Sequence, residues 1–451
     1  MTVRELGAQL RNRETSCLQL ATEAIEAAQK QADLHAFITI TENEAKAAAL
    51  QLDAELKSGR DRGPFHGIPI VVKDLFYTAG IRTTAGSRLF ENFLPSFNAT
   101  VIDRLQQAGA VSIGKTNLHE LAFGITSNNP YYGRVLNPLD HARIAGGSSG
   151  GTAAAIAASI VPMGLGTDTG GSIRIPASYC GLVGLKPTYG RVSRYGVLPL
   201  SFSLDHVGPL GTCVEDCALA MNAFAGWDAR DRSSCVEPTP DFNLPPLADC
   251  TGLRVGLPKN FFFERLSEDV SKAVKHATSL LGRAGANLIE VTVPNFHEII
   301  LTSQVVQLSE FAAQHTTHDA SEQFGTDIWA HLELGRQIAA HEYVNAQRLR
   351  TLFRREMDHL WHEIDLLITP TTPIAAPLAS KDTVDVGGNE ENVRMASTRL
   401  VRGFNLLGEP ALSMPCGKAD TGMPVSLQLV APPFGEPRLL QIAKTLEFLL
   451  S

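Results

Sequence analysis

Three serines and one lysine hold the chemistry this chain could perform. Ser148 and Ser149 lie in Ala145-Gly-Gly-Ser-Ser-Gly-Gly-Thr152, and Ser172 lies in Gly166-Thr-Asp-Thr-Gly-Gly-Ser-Ile-Arg174. An Ala-rich run, Ala153 to Ile160, separates the two loops and reads as a buried element. Glycine serves where backbone must approach another group closely or take a positive φ. Two such loops bring hydroxyls and unobstructed backbone N–H groups together. Acyl transfer needs both, a nucleophile and donors for the developing oxyanion. Lys73 ends the run Ile68-Pro-Ile-Val-Val-Lys73, so a strand can deliver it into the interior. A lysine is a base only when neutral, and burial favours the neutral form. The bland alternative is a strand-end lysine paired with Asp74 at the surface.

Other chemistries fit less well. A phosphate loop would carry a lysine after its glycines, and Gly146 to Thr152 contains none. The G-x-S-x-G elbow of α/β-hydrolases is absent around Ser172, where the order is Thr-Gly-Gly-Ser-Ile. His119 is a candidate general base, but a lone histidine is more often a satisfied structural residue. His359 and His362 are spaced H-x-x-H and lack the H-E-x-x-H pattern of zinc proteases. No metal and no organic cofactor is expected.

The elements that must position these residues alternate. Ile68–Val72, Ala110–Ile113, Leu253–Leu257, Leu288–Val293 and Asp365–Ile368 read as strands. Thr100–Gln107, Ser267–Leu281 and about His341–His362 read as helices. Thr15 or Ser16 can cap a helix to Gln31, and Thr41-Glu-Asn-Glu44 reads as a capping box for a second helix ending near Gly59. Alternation of this kind predicts an α/β fold around a largely buried sheet. Asp231 to Asp249, rich in Pro, Ser and Asp, reads as an insertion within one domain spanning 1–451.

Composition narrows the partners. A net charge of −8 argues against a general nucleic-acid binder. Seven scattered cysteines without a C-x-x-C pair suit buried, reduced thiols in a cytoplasmic enzyme. The first residues lack an apolar signal core. No run approaches the roughly 18 apolar residues of a membrane span, so no membrane partner is expected.

The blocks above, taken in order, resemble the amidase signature family. The likeness includes His66-Gly-Ile-Pro-Ile-Val-Val-Lys-Asp74, Gly114-Lys-Thr-Asn-Leu-His-Glu-Leu-Ala122, Cys180-Gly-Leu-Val-Gly-Leu-Lys-Pro-Thr188 and Leu204-Asp-His-Val-Gly-Pro209. It continues in Gly408-Glu-Pro-Ala-Leu-Ser-Met-Pro415 and Met423-Pro-Val-Ser-Leu-Gln-Leu429, so it spans nearly the whole chain. The resemblance implies one α/β/α sandwich around a large mixed, twisted sheet. Residues 1–60 would be N-terminal helices, 66–210 the catalytic core and about 230–400 the substrate-pocket region. It implies a relay of Lys73, Ser148 and Ser172, with Ser172 as nucleophile and Ser148 in a cis peptide. It assigns an oxyanion hole to the N–H groups of Thr169, Gly170, Gly171 and Ser172. Ser149 would tune the relay, and Asp168 and Arg174 would shape the loop as a structural pair.

Two functions follow from the resemblance. The first is a stand-alone amidohydrolase that turns a small carboxamide into the acid and ammonia or an amine. The second is the glutamine-hydrolysing component of a tRNA-dependent amidotransferase complex. Such components carry Met-Asp-Glu-Phe-Ala where this chain has Leu118-His-Glu-Leu-Ala122, and Gly124-Ile-Thr-Ser-Asn-Asn129 is similar to amide hydrolases. The arginine that grips glutamine in them has no counterpart in Trp329-Ala-His-Leu332, and the aspartate that holds its amine is replaced near Thr398. These differences favour the first function. Gly124, Ile125, Thr126 and Arg402 are pocket candidates. Arg399 and Arg402 read first as structural ion pairs, with a substrate carboxylate as their other use. The expected assembly is a homodimer, and a small accessory protein is a further option.

Overall fold

Alternating apolar side chains fold into a sheet that is buried on both faces. A computed structural model describes residues 1–318 and 320–451. Its main sheet has eleven strands: β1 (Phe37–Ile40), β2 (Pro69–Lys73), β3 (Val111–Thr116), β4 (Met163–Asp168), β5 (Val183–Lys186), β6 (His206–Gly211), β7 (Arg254–Pro258), β8 (Asn287–Val291), β9 (Leu366–Pro370), β10 (Ala411–Lys418) and β11 (Pro424–Val430). Their spatial order is β1-β3-β2-β4-β6-β5-β10-β11-β9-β7-β8. β3, β2 and β4 are parallel neighbours, as are β9, β7 and β8. The remaining pairings are antiparallel, so the sheet is mixed.

Successive residues of a strand face opposite sides. In β9, Leu366 and Ile368 join one apolar cluster and Leu367 joins another. The first cluster takes in Leu20 and Ile25 of one N-terminal helix and Ala49 and Leu52 of another. The second takes in Phe296, Phe353, Met357 and Phe404. Helices therefore cover both faces of an α/β sandwich.

The expected strands and helices occur with ends shifted by a few residues at most. Ser16 caps the helix Cys17–Lys30 through Gln19 N–H. Thr41 does not make the expected capping box: its hydroxyl donates to the Ser112 carbonyl on the neighbouring strand. A capping box does form earlier, between Thr2 and Glu5 of the helix Val3–Arg11. The Pro/Ser/Asp-rich stretch has no helix or strand; Phe242 within it and Cys250 just after it join the first apolar cluster. All seven cysteines are free. Among the described residues no helix is long and apolar enough to cross a membrane.

The Ala-rich run belongs to a buried helix, Gly150–Ala157. Its Gly151 fits because a Cβ there would stand 2.3 Å from the Asn117 carbonyl oxygen and 2.5 Å from that of Ala36. Gly151→Ala should therefore destabilise the fold by about 1–3 kcal/mol. Helix propensity alone predicts the opposite sign, a gain of about 1 kcal/mol. Urea denaturation of the two proteins separates these outcomes.

Candidate active site

The C-terminal ends of the parallel strands β3, β2 and β4 converge, which is where open α/β sheets place their ligands. β2 ends in Lys73, which is fully buried. Its Nζ lies within hydrogen-bond distance of three hydroxyls, Ser148 Oγ at 2.9 Å, Ser149 Oγ at 3.0 Å and Thr167 Oγ1 at 2.9 Å. The surface pairing with Asp74 does not occur. Asp74 instead faces Lys115 Nζ at 3.0 Å on the adjacent strand. Burial pushes the Lys73 ammonium down to about 7, while the more distant charges of Asp168 and Asp205 pull the other way. Ser149 Oγ also lies 3.2 Å from the Thr167 carbonyl oxygen. The Gly147–Ser148 peptide is cis.

β4 runs into the loop Thr169–Ile173 and then the helix Arg174–Cys180. Ser172 is buried on this loop and its hydroxyl makes no hydrogen bond among the described residues. The structure thus joins Lys73 to Ser148, and leaves the link from Ser148 to Ser172 unmade. Hydrogen bonds of this kind commonly tighten only when substrate is bound.

The four expected oxyanion donors reduce to three. Gly171 N–H donates to Asp168 Oδ1 at 2.7 Å, which removes it from the set. The N–H groups of Thr169, Gly170 and Ser172 have no partner among the described residues. Gly171 takes φ +115°, and a Cβ there would also stand 2.4 Å from Val401 Cγ2.

Asp168 is the hub of this loop. Arg174 donates to it through Nε at 3.0 Å and Nη2 at 2.9 Å, and Asn405 Nδ2 donates at 2.8 Å. Burial alone would raise the Asp168 carboxyl, but Arg174 and Asn405 hold it well below the usual range. Arg174 also reaches Gln428 Oε1 and the Val401 carbonyl oxygen. Asp205 accepts from Thr169 Oγ1 at 2.6 Å and from the N–H groups of Leu200 and Ser201. Sequence reasoning missed Thr167, Asp205, Asn405 and Gln428 as members of the site. Thr167, Asp205 and Gln428 sit inside segments quoted above as motifs, which was the available signal. Asn405 ends the run Arg399-Leu-Val-Arg-Gly-Phe-Asn405, which is similar to a run of amide hydrolases, so a signal existed for it too.

The pocket candidates separate. Thr126 lines a cavity of about 430 Å³ together with His119, Asp327 and Arg394. His119 Nε2 pairs with Asp327 at 2.8 Å and Nδ1 meets Thr126 Oγ1 at 3.3 Å. Gly124 packs on the His119 ring, where a Cβ would come within 2.3 Å. Ile125 belongs to an apolar cluster with Ile175, Tyr179 and Val401. Arg399 lies in a structural pairing with Glu391, at 3.5 Å. Arg402 pairs with no carboxylate among the described residues, so the expectation of a structural ion pair fails for it. It lines a second cavity, of about 270 Å³, with Phe123, Gln307, His331 and Arg394. Neither cavity is lined by Ser172; the second abuts the Thr169–Ile173 loop through Arg402. His359 and His362 are exposed on the helix Ala340–Glu363.

Comparison with known proteins bears on the family and the fold. The family model described as Amidase matches residues 19–440. The A component of the glutamyl-tRNA(Gln) amidotransferase of Chloroflexus aggregans is 41% identical over 91% of this chain and 88% of its own length. A solved chain from a vestigial protein complex, described as revealing the evolutionary origins of an s-triazine catabolic enzyme, superposes with a TM-score of 0.95. It is 35% identical, over 99% of this chain and 98% of its own. A crystal structure of an amidase superposes with a TM-score of 0.90 at 36% identity, covering both chains fully.

Arg174 and Asp168 form a fully buried pair. Arg174→Met leaves that carboxylate without its ion-pair partner, with only the donors of Asn405 and the loop N–H groups, and should cost about 3–5 kcal/mol. Adding Asp168→Asn should restore part of it. Urea denaturation of the single and double variants checks this: a loss under about 1 kcal/mol in the single variant would mean that the pair does not hold the loop.

Proposed function

The chain belongs to the amidase family, and on that premise we propose that it hydrolyses a small carboxamide through an acyl-enzyme on Ser172. The observation that carries this reading is the buried Lys73 amine, held by three hydroxyls and touched by no carboxylate among the described residues.

A neutral amine has two N–H donors and one lone pair. With three hydroxyl neighbours, one of them must donate to it. Ser149 has the Thr167 carbonyl oxygen to donate to, whereas Ser148 has no other acceptor among the described residues. Ser148 is thus the hydroxyl suited to pass its proton to Lys73 and to take one from Ser172. The Ser172 oxygen then attacks the amide carbon, and the developing oxyanion meets the N–H groups of Thr169, Gly170 and Ser172. The same relay returns a proton to the leaving nitrogen, so ammonia or an amine departs as the C–N bond breaks. Water attacks the ester by the reverse path and frees the acid and Ser172.

A second reading is a glutamine-hydrolysing component of a larger assembly. The Chloroflexus relative is named for such an amidotransferase at 41% identity, so kinship favours this reading over the stand-alone hydrolase. The Leu-His-Glu-Leu-Ala segment and the missing arginine in Trp329–Leu332 favour the stand-alone enzyme. An ammonia-release assay of the chain alone over an amide panel, glutamine included, decides between them. A homodimer accompanies the first reading and an accessory protein the second.

Ser172→Ala should cut turnover by several orders of magnitude while the thermal melt stays in place. Activity in the parent should rise through pH about 7 and then level. The sign follows from the base: below that pH Lys73 is protonated and cannot accept a proton. Lys73→Ala should remove most of the rate and flatten the limb. Lys73→Arg should not rescue it, because guanidinium stays protonated. An alanine variant with near-normal turnover and an unchanged limb would return His119 as candidate base.

A further inference from the structure

Buried arginines in folded proteins are paired, because an isolated charge in a dry interior is costly. Arg174 and Arg399 obey this rule here. Arg402 does not. It is 5% exposed, its Nε is buried without a partner, and no carboxylate forms an ion pair with it among the described residues. Burial and the neighbouring charge of Arg394 both work against its ionised form, yet it stays protonated at neutral pH, being pushed down only to about 9. Arg394 is similar. It lies over the Phe123 ring at 5.1 Å and contacts His331 Nε2; the charge of Asp327 acts on it from beyond ion-pair distance, and it has no ion pair among the described residues. Both guanidiniums line the same 270 Å³ cavity, and its described walls include no Asp or Glu. Gln307, also in that wall, is buried with an amide that makes no hydrogen bond among the described residues.

The cavity meets the chemistry at Gly170. A Cβ on this loop glycine would stand 3.6 Å from Arg402 Nε and 3.8 Å from Arg402 Cζ. An anion held by Arg402 would therefore lie close to the scissile carbonyl.

We propose that Arg402 and Arg394 form a carboxylate grip, so that the substrate is a small amide that carries its own carboxylate and no ammonium near it. This rests on the amidase reading above. A carboxylate supplies the missing countercharge and accepts from both guanidiniums. Inside this cavity, whose described walls hold no acid, two cations repel the α-ammonium of a free amino acid; Asp327 lies on the other side of Arg394, in the 430 Å³ cavity, so glutamine fits here worse than its deaminated analogue. Gln307 is placed to meet a second polar group of the substrate.

Three amides test the grip. Glutaramate, glutamine and pentanamide share the same chain; glutamine adds an ammonium to glutaramate, and pentanamide replaces its carboxylate with a methyl. The expected order of kcat/KM is glutaramate well above both others. Arg402→Gln should lower the glutaramate-to-pentanamide ratio by the order of a hundredfold, mostly through KM. Arg394→Gln should lower it too, which guards against a folding defect in one variant. Equal rates on glutaramate and pentanamide, or equal losses on both in Arg402→Gln, would overturn the proposal. A preference for glutamine over glutaramate would overturn its exclusion of the ammonium. Calorimetry with glutarate on Ser172→Ala protein reads the grip without any chemistry. Glutarate binding that Arg402→Gln abolishes supports it even if no amide is turned over, and that result would count against the amidase reading alone. Glutarate binding unchanged by Arg402→Gln counts against the grip.

Discussion

An amine stripped of water and given only hydroxyls for company is the interaction on which this site depends. Burial disfavours the ammonium form of Lys73, and a carboxylate in contact would restore it. The protein shows both conditions on adjacent strands. Lys115, on β3, is as deeply buried but sits against Asp74, whose charge opposes the effect of burial. Lys73, on β2, meets Ser148, Ser149 and Thr167 instead. The two acids whose charges act on Lys73 each have other partners. Asp168 is held by Arg174 and Asn405, and Asp205 by Thr169 and two backbone N–H groups. The surrounding network therefore keeps negative charge near enough to shape the loop and too well compensated to trap the lysine as a cation.

The same comparison separates cations that build from cations that wait. Arg174 directs its donors to Asp168, Asn405, Gln428 and the Val401 carbonyl, and so ties the Ser172 loop to β11 and to the segment before β10. Leaving a buried guanidinium without an acid costs stability. The large apolar clusters on both faces of the sheet can absorb such a cost. An unpaired arginine beside a reactive loop is thus informative in a way that a paired one is not.

Much of the fold was legible where branched apolar residues cluster along a strand. Ile68-Pro-Ile-Val-Val and the run ending at Ile368 announce themselves by composition. β4, β5, β6 and β10 do not, because glycine or proline interrupts them: Met-Gly-Leu-Gly, Val-Gly-Leu, His-Val-Gly-Pro and Met-Pro-Cys-Gly. Those glycines are there because neighbours come close. A Cβ on Gly208 would stand 2.1 Å from the Leu185 carbonyl oxygen, and one on Gly164 2.6 Å from Val71 Cγ2. Composition alone reads such residues as loop. At the site, local motifs gave Lys73 and the serines, but not who pairs with whom. The commitment of Gly171 N–H to Asp168 depends on a turn geometry that the string Thr-Gly-Gly-Ser does not specify. The empty partnership of Arg402 depends on what side chains far along the chain fail to reach it.

The relay and the pocket are built from different parts of the chain, and this bears on how kinship should be read. Lys73, Ser148, Thr167 and Ser172 stand on β2, β4 and the loops beside them. The cavity beyond takes Gln307 from the helix Phe296–Gln314, His331 from Thr326–Gln337 and Arg394 from Val393–Thr398. Replacing side chains on those helices changes what the cavity holds without disturbing a hydrogen bond of the relay. Identity spread over the whole chain then reports mainly on the sheet and on the chemistry it positions, which is amide hydrolysis. On the carboxylate-grip proposal, the substrate is decided by a few charges on the covering helices and on the turn at Arg402. Here those charges are two unpaired guanidiniums, a different demand from that of a site built to hold both the carboxylate and the ammonium of an amino acid.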